Sequence, residues 1–175
     1  DYASANYYYV NKSSLPKVYG GFNTSLSWKG FDLSAIFAYS IGGYIYNRDI
    51  TMILHNGSLE GRDWSTEILR RWTPENRYTD VPALSTTSNN WNSASTRFLQ
   101  NNSYMRLKNL TLSYNLPKQL ISKLALSSVQ VFVQGDNLFT IHRNQGLDPE
   151  QGITGITYYR YPAMRTISGG INLSF

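Results

Sequence analysis

Cysteine is absent from the chain, which excludes a disulfide framework and thiolate metal sites. Charge is sparse, with Asp, Glu, Lys and Arg making up 15% of residues. The net charge of +5 comes from scattered basic residues. They form no stripe of the kind that tracks a phosphate backbone, so nucleic acid is not an expected partner. No run approaches the ~20 apolar residues of a membrane-spanning helix. A membrane protein built of strands stays open, because barrel strands are short and alternate in polarity. No signal peptide stands at Asp1, so the chain reads as an internal fragment. His55 and His142 are isolated in sequence, with no Cys or Glu at ligand spacing, and no metal site is expected. Nucleophile elbows, phosphate loops and dinucleotide fingerprints are missing as well, so no catalytic residue, enzyme activity or cofactor is expected.

What the chain does have is aromatic residues, with 14 Tyr, 7 Phe and 4 Trp, and alternation. Five segments read as strands. In Tyr19–Trp28, the side chains of Phe22, Thr24, Leu26 and Trp28 share one face, opposite Asn23, Ser25 and Ser27. Lys29-Gly30 makes a two-residue hairpin turn. Phe31–Gly42 then points Phe31, Leu33, Ala35, Phe37, Tyr39 and Ile41 one way. Tyr104–Leu116 carries Leu110, Leu112, Tyr114 and Leu116 on one parity, but Met105 and Leu107 on the other; this phase change predicts a β-bulge near Asn109. Ser128–Thr140 sets Val129, Val131 and Val133 against Gln130 and Gln134, with Phe132 out of pattern. The terminal strand places Ile167, Ile171, Leu173 and Phe175 opposite Ser168, Asn172 and Ser174.

The connections alternate. Lys29-Gly30 and Pro117–Ser127 are short, whereas 43–103 and 141–164 are long. Outer-membrane barrels have this habit, with short periplasmic turns and long external loops. The short connections are therefore expected at one end of five antiparallel strands and the long ones at the other. Trp28, Phe31, Tyr114 and Phe175 lie on apolar parities near the short-connection end, which reads as an aromatic girdle at a membrane interface. The charges expected within the spans, Asp32 and Asp136, fall on polar parities. Ser, Thr, Asn and Gln dominate those parities, which suits a lumen for polar, uncharged solutes such as sugars.

The first long connection contains Asp63–Pro74. Asp63 can cap a helix, Glu67 lies early, Arg70 and Arg71 lie late, and Pro74 stops it. Trp64, Ile68 and Trp72 then form a helical stripe. Together with Trp91, Arg62 and Arg77, these residues make the loop a candidate for docking a partner or lining a substrate chamber. Asp148-Pro149-Glu150 reads as a solvated turn.

The end of the chain resembles the C-terminal signal read by the outer-membrane barrel assembly machinery, through Ser168, Gly170, Leu173 and Phe175. Longer blocks resemble one family. Pro16-Lys17-Val18-Tyr19-Gly20-Gly21-Phe22 and Lys29-Gly30-Phe31-Asp32-Leu33 are similar to the C-terminal barrel of SusC/RagA-type TonB-dependent transporters. So are Tyr104–Pro117, Gln134–Thr140, Gly146–Glu150 and Tyr161-Pro162, in the same order. Asp136 stands where the family usually has Gln, and Ser113 where it usually has Gly. The resemblance implies that residues 1–175 are the C-terminal segment of a 22-stranded outer-membrane barrel. The plug, the earlier strands and the TonB-binding N-terminal region would lie outside this segment. It further implies partnership with a SusD-like surface lipoprotein and TonB-energised import of glycans or peptides.

The expected fold is thus all-β, with antiparallel up-and-down strands from the C-terminal part of a transmembrane β-barrel. It has about five strands, long external loops and one short loop helix. The competing reading is a soluble β-sandwich carbohydrate-binding module. If the terminal residues are an assembly signal, Phe175→Ala or Gly170→Asp in the full-length protein lowers barrel insertion while synthesis stays intact. Wild-type amounts of heat-modifiable barrel in both variants would contradict that reading.

Overall fold

A computed structural model describes residues 2–57, 59–87, 90–122, 126–144, 146, 148–150 and 152–175. In chain order the elements are β1 (Val18–Trp28), β2 (Phe31–Ile41), β3 (Tyr44–Asn47), α1 (Arg48–Ile53) and β4 (Leu99–Asn101). There follow β5 (Tyr104–Asn115), α2 (Lys118–Ile121), β6 (Ser128–His142), β7 (Ile156–Thr157) and β8 (Thr166–Ser174). Two compact units result. One comprises residues 16–43, 102–150 and 161–175; the other comprises 1–15, 44–101 and 151–160.

The first unit is a five-stranded sheet in the order β1-β2-β5-β6-β8, with every neighbouring pair antiparallel. The five long strands therefore follow one another in sequence as an up-and-down sheet, as the alternation and turns predict. Lys29 and Gly30 have φ of 48° and 88°, the left-handed pair that a two-residue hairpin needs to match strand twist. Glycine is required at the second position because a Cβ there would also lie 3.1 Å from the Asn115 carbonyl oxygen. The longer connection after β5 differs from a plain turn. It begins with the helical turn α2, which buries Ile121, and part of it (123–125) lies outside the described residues.

Register assigns the faces. Leu26, Leu33, Leu112, Val133 and Gly169 form one cross-strand row. Thr24, Ala35, Leu110, Gly135 and Ile167 form the next. Phe22 stacks on Phe37 at 4.7 Å in the row beyond. These side chains sit on one face of the sheet, and much of that face is open: Leu26 is 66% exposed, Val133 55% and Ile167 72%. The predicted bulge is present. Ile36 pairs with Asn109 and Phe37 with Leu107, so Lys108 is the extra residue. The insertion restores Met105 and Leu107 to the apolar face.

Phe132, out of pattern in the sequence, falls on the polar face, paired with Gly170. A Cβ on Gly170 would lie 2.9 Å from Phe132 Cζ. The glycine thus leaves the space that the ring fills, an aromatic covering the bare backbone of its cross-strand neighbour.

The second unit shows that the long connections are folded. β4-β3-β7 form a small sheet, in which β3 and β4 are antiparallel. β3 and β7 make a parallel pair of two residue partners; it belongs to the connections and not to the five-stranded sheet. Asn47 caps α1 by accepting from the Ile50 N–H at 3.0 Å. Ile45, Phe98, Val81 and Ile68 are buried here. The helix expected over Asp63–Pro74 is shorter and tighter, a 3₁₀ helix over Thr66–Arg70 capped by Ser65 and not Asp63. The reason is tethering. The Ser65 N–H donates to the Ile53 carbonyl at 2.8 Å and the Trp72 N–H to the Val81 carbonyl at 2.8 Å, so too few residues remain between the ties for three α-turns. Trp64 and Trp72 flank the helix, and the i, i+4, i+8 stripe does not form.

The Phe132–Gly170 fit yields a test. Gly170→Ala should destabilise the full-length protein by about 1–3 kcal/mol, the usual cost of overpacking. In a Phe132→Ala background the cost should vanish, which a double-mutant cycle in denaturant measures. Equal cost in both backgrounds would contradict the fit.

Candidate functional site: the polar face and its charged clamp

Opposite the apolar face, side chains on alternate positions bond across strands. Asn172 Nδ2 donates to Gln130 Oε1 at 3.1 Å, and Gln130 Nε2 donates to Ser113 Oγ at 3.3 Å, linking β8, β6 and β5. Asp136 accepts from Asn109 Nδ2 at 2.8 Å and from Gln134 Nε2 at 3.3 Å, while Thr111 Oγ1 donates to Asn109 Oδ1 at 2.9 Å. Asp32 accepts from Ser27 Oγ and, at 2.7 Å, from Asn115 Nδ2. Asp32 and Asp136 thus lie on the polar face, each held by amides or hydroxyls of neighbouring strands. The chemistry offered is hydrogen-bond exchange with polar groups.

The expectation that Asp148-Pro149-Glu150 is a solvated turn is overturned, and β5 carries two charges, Arg106 and Lys108, beyond the Asp32 and Asp136 expected within the spans. Arg106, whose side chain is 3% exposed, donates through Nη2 to Asp148 Oδ1 at 2.5 Å and through Nη1 to Glu150 Oε2 at 2.7 Å. Its Nε donates to Thr140 Oγ1 at 3.0 Å. Lys108, on the bulge, donates to both Glu150 oxygens at 2.9 and 2.8 Å. Asp148 also accepts the Glu150 N–H at 2.9 Å and the Ala163 N–H at 2.6 Å. A buried guanidinium must be paired, so two basic residues, Arg106 and Lys108, inside one expected strand were the available signal. No spacing rule joins it to acids 42 and 44 residues away. Burial alone would raise the Asp148 pKa; the Ala163 N–H, Arg106 and the Glu150 N–H outweigh it and hold the carboxyl below its ordinary value.

Of the proposed girdle, Trp28, Phe31 and Tyr114 align in one cross-strand row that continues through Val131 and Ile171. The Phe31 and Tyr114 rings lie 4.4 Å apart. Phe175 lies outside this row, past the end of β8, and is 93% exposed. Of the other terminal residues, Ser168 pairs with Gln134, Gly170 with Phe132 and Leu173 with Val129. In the long connection, Trp64 meets the buried His55 ring edge-on at 5.3 Å, and Trp72 is half-exposed. Arg70 pairs with Glu67 and Asp80 at 3.5 and 3.6 Å, and the Arg71 N–H closes the 3₁₀ helix on the Ile68 carbonyl. The guanidinium over Trp91 is Arg97, 3.0 Å from the ring centroid. Arg70 is thus engaged by acids, and the ring of Trp91 is covered by Arg97.

No family model matches the chain. Curated relatives do. The TonB-dependent receptor P3 of Formosa agariphila is 34% identical over 166 residues, covering 89% of this chain and 16% of that protein. The TonB-dependent receptor SusC of Bacteroides thetaiotaomicron is 30% identical over 170 residues, covering 95% of this chain and 16% of that protein. Among solved structures, the RagAB peptide importer in the closed-closed state superposes with a TM-score of 0.82 at 35% identity, over 95% of this chain and 18% of that one. The chain is homologous to a segment of the SusC/RagA-type TonB-dependent receptors. The chain spans about one sixth of the length of the curated relatives it matches, and its antiparallel sheet superposes on part of the matching importer.

The Asp148 environment gives a pH test. A carboxyl held low contributes its stabilisation in full above the ordinary Asp range of about 3.9 and loses it as pH falls through the lowered value. Protection of the Ala163 amide from hydrogen exchange, corrected for the intrinsic rate, should hold from neutral pH to about pH 4.5 and fall only below about pH 4. Loss of protection already between pH 6 and 5 would contradict the assignment.

Proposed function

We propose that the chain is the C-terminal part of the barrel of an outer-membrane active transporter, energised through TonB by a region outside this segment. Such a transporter imports glycans or peptides with a SusD-like surface lipoprotein. The observation that carries the reading is the two-faced sheet: five antiparallel strands, apolar along one face and laced by amides and hydroxyls along the other. A soluble protein does not leave an apolar face of this extent in water; lipid is the environment that suits it. Among the described residues no strand pairs with the outer edges of β1 and β8; the remaining barrel strands would pair them, and a plug would fill the polar side. The relatives supporting this are named as TonB-dependent receptors, and the matching structure is a peptide importer.

Faces are tested by neighbouring substitutions in the full-length protein. Leu112→Arg and Val131→Arg should each destabilise by about 2–4 kcal/mol if these residues meet lipid at mid-depth. Thr111→Arg and Gln130→Arg should be milder. Equal effects within each pair, measured by denaturant titration in lipid, would contradict the assignment.

The connection holding Trp64, Arg70, Arg71, Trp72 and Trp91 supplies part of the lipoprotein interface in this reading, because large aromatics and Arg anchor such interfaces. Leu69 is 75% exposed, Trp72 44% and Tyr78 101%, whereas Ile68 and Val81 are core. Point changes therefore test docking better than a deletion. Leu69→Asp with Trp72→Ala should reduce co-purification of the lipoprotein at unchanged barrel abundance. Full co-purification with reduced uptake would place these residues in the substrate chamber instead.

A further inference from the structure

The Arg106 cluster goes beyond pairing two stray charges. Its guanidinium stands on the polar parity of β5, oriented through Nε by Thr140 of the neighbouring strand. Its two other nitrogens take the two carboxylates of one tripeptide, and the proline between them is among the most buried residues of the protein. Asp148 spends its remaining acceptor capacity on the Glu150 and Ala163 N–H groups. Because Ala163 lies 15 residues beyond Asp148, this carboxylate closes the neck through which the β6–β8 connection leaves and returns. Asn102 adds a tie: its amide donates to the Pro149 carbonyl at 2.9 Å, and its Oδ1 accepts from Asn144 at 2.9 Å. The four charges sum to zero, so the cluster exerts little net pull on a charged solute. It acts as a lock.

We propose that Arg106 is a positioning residue that fixes the neck of the β6–β8 connection on the polar face, making it a standing wall of the solute-facing surface and not a moving lid. That surface assignment rests on the transporter reading above. Arginine suits the task because its rigid fork of donors reaches three acceptors at once; a lysine ammonium is a point charge that cannot span two carboxylates and Thr140 together.

Hydrogen exchange on the full-length transporter tests the lock. In the wild type the Glu150 and Ala163 amides should exchange far more slowly than their intrinsic unprotected rates. Arg106→Gln should speed both about tenfold or more, the scale of a lost hydrogen bond to a charged group, and Arg106→Lys should speed them less. The Leu112 and Val131 amides of the sheet should not change. Intrinsic-rate exchange at Ala163 in the wild type, or unchanged exchange in Arg106→Gln, would overturn the proposal. If Arg106→Gln gives no folded protein, Asp148→Asn carries the test, with faster Ala163 exchange expected and unchanged exchange overturning it. Failure of the transporter reading would look different: a protein folded in water without detergent, in which the amide comparison still reports on the lock.

Discussion

The structure depends on one extra residue. Lys108 is inserted between Leu107 and Asn109 against β2, while β6 answers with an extra residue of its own, Asn137 and Leu138 standing opposite Lys108. The β5 bulge decides which way every side chain in the first half of that strand points. Side-chain direction in a strand has a period of two, so a single insertion exchanges the faces. Without it, Met105 and Leu107 would turn to the polar side, and Arg106 would meet the apolar side. A guanidinium facing lipid costs about 2–4 kcal/mol at mid-depth. With the bulge, the apolar surface runs unbroken along the strand, and the buried Arg106 guanidinium reaches its two carboxylates.

The same insertion places Lys108 beside Glu150. Strand irregularity and charge pairing are therefore one device. The bulge that resets the parity also delivers the second cation, and the pair of cations holds Asp148-Pro149-Glu150. Apart from Asp32 and Asp136, each held by amides or a hydroxyl, the rest of the hydrogen-bonded polar face is made of uncharged groups that bond one another across strands. Each partner satisfies its neighbour, which keeps a wet wall ordered while leaving lone pairs for solvent or solute.

Much of this was legible in the sequence. Alternation marked all five long strands, Lys29-Gly30 marked the hairpin, and the phase change in Tyr104–Leu116 marked the bulge. These are local properties, and local periodicity reports them directly. Contacts between distant segments were not legible. Phe132 looked anomalous until its cross-strand partner proved to be Gly170, and Asp148-Pro149-Glu150 looked like a surface turn until Arg106 was found beneath it. The loop helix was expected in longer form because capping and charge signals were read without the tethers at Ser65 and Trp72. Each miss has the same cause: a tertiary partner overrode a local preference.

The most direct test of the account is a nitroxide scan of β5 in the full-length protein in lipid, one position at a time from Tyr104 to Asn115. Accessibility to oxygen, which is concentrated in lipid, is compared at each site with accessibility to a water-soluble nickel chelate. The account predicts lipid-side signals at Met105, Leu107, Leu110, Leu112 and Tyr114, with the two-residue alternation broken once, at Lys108. An alternation that runs through Lys108 without a change of phase would contradict it.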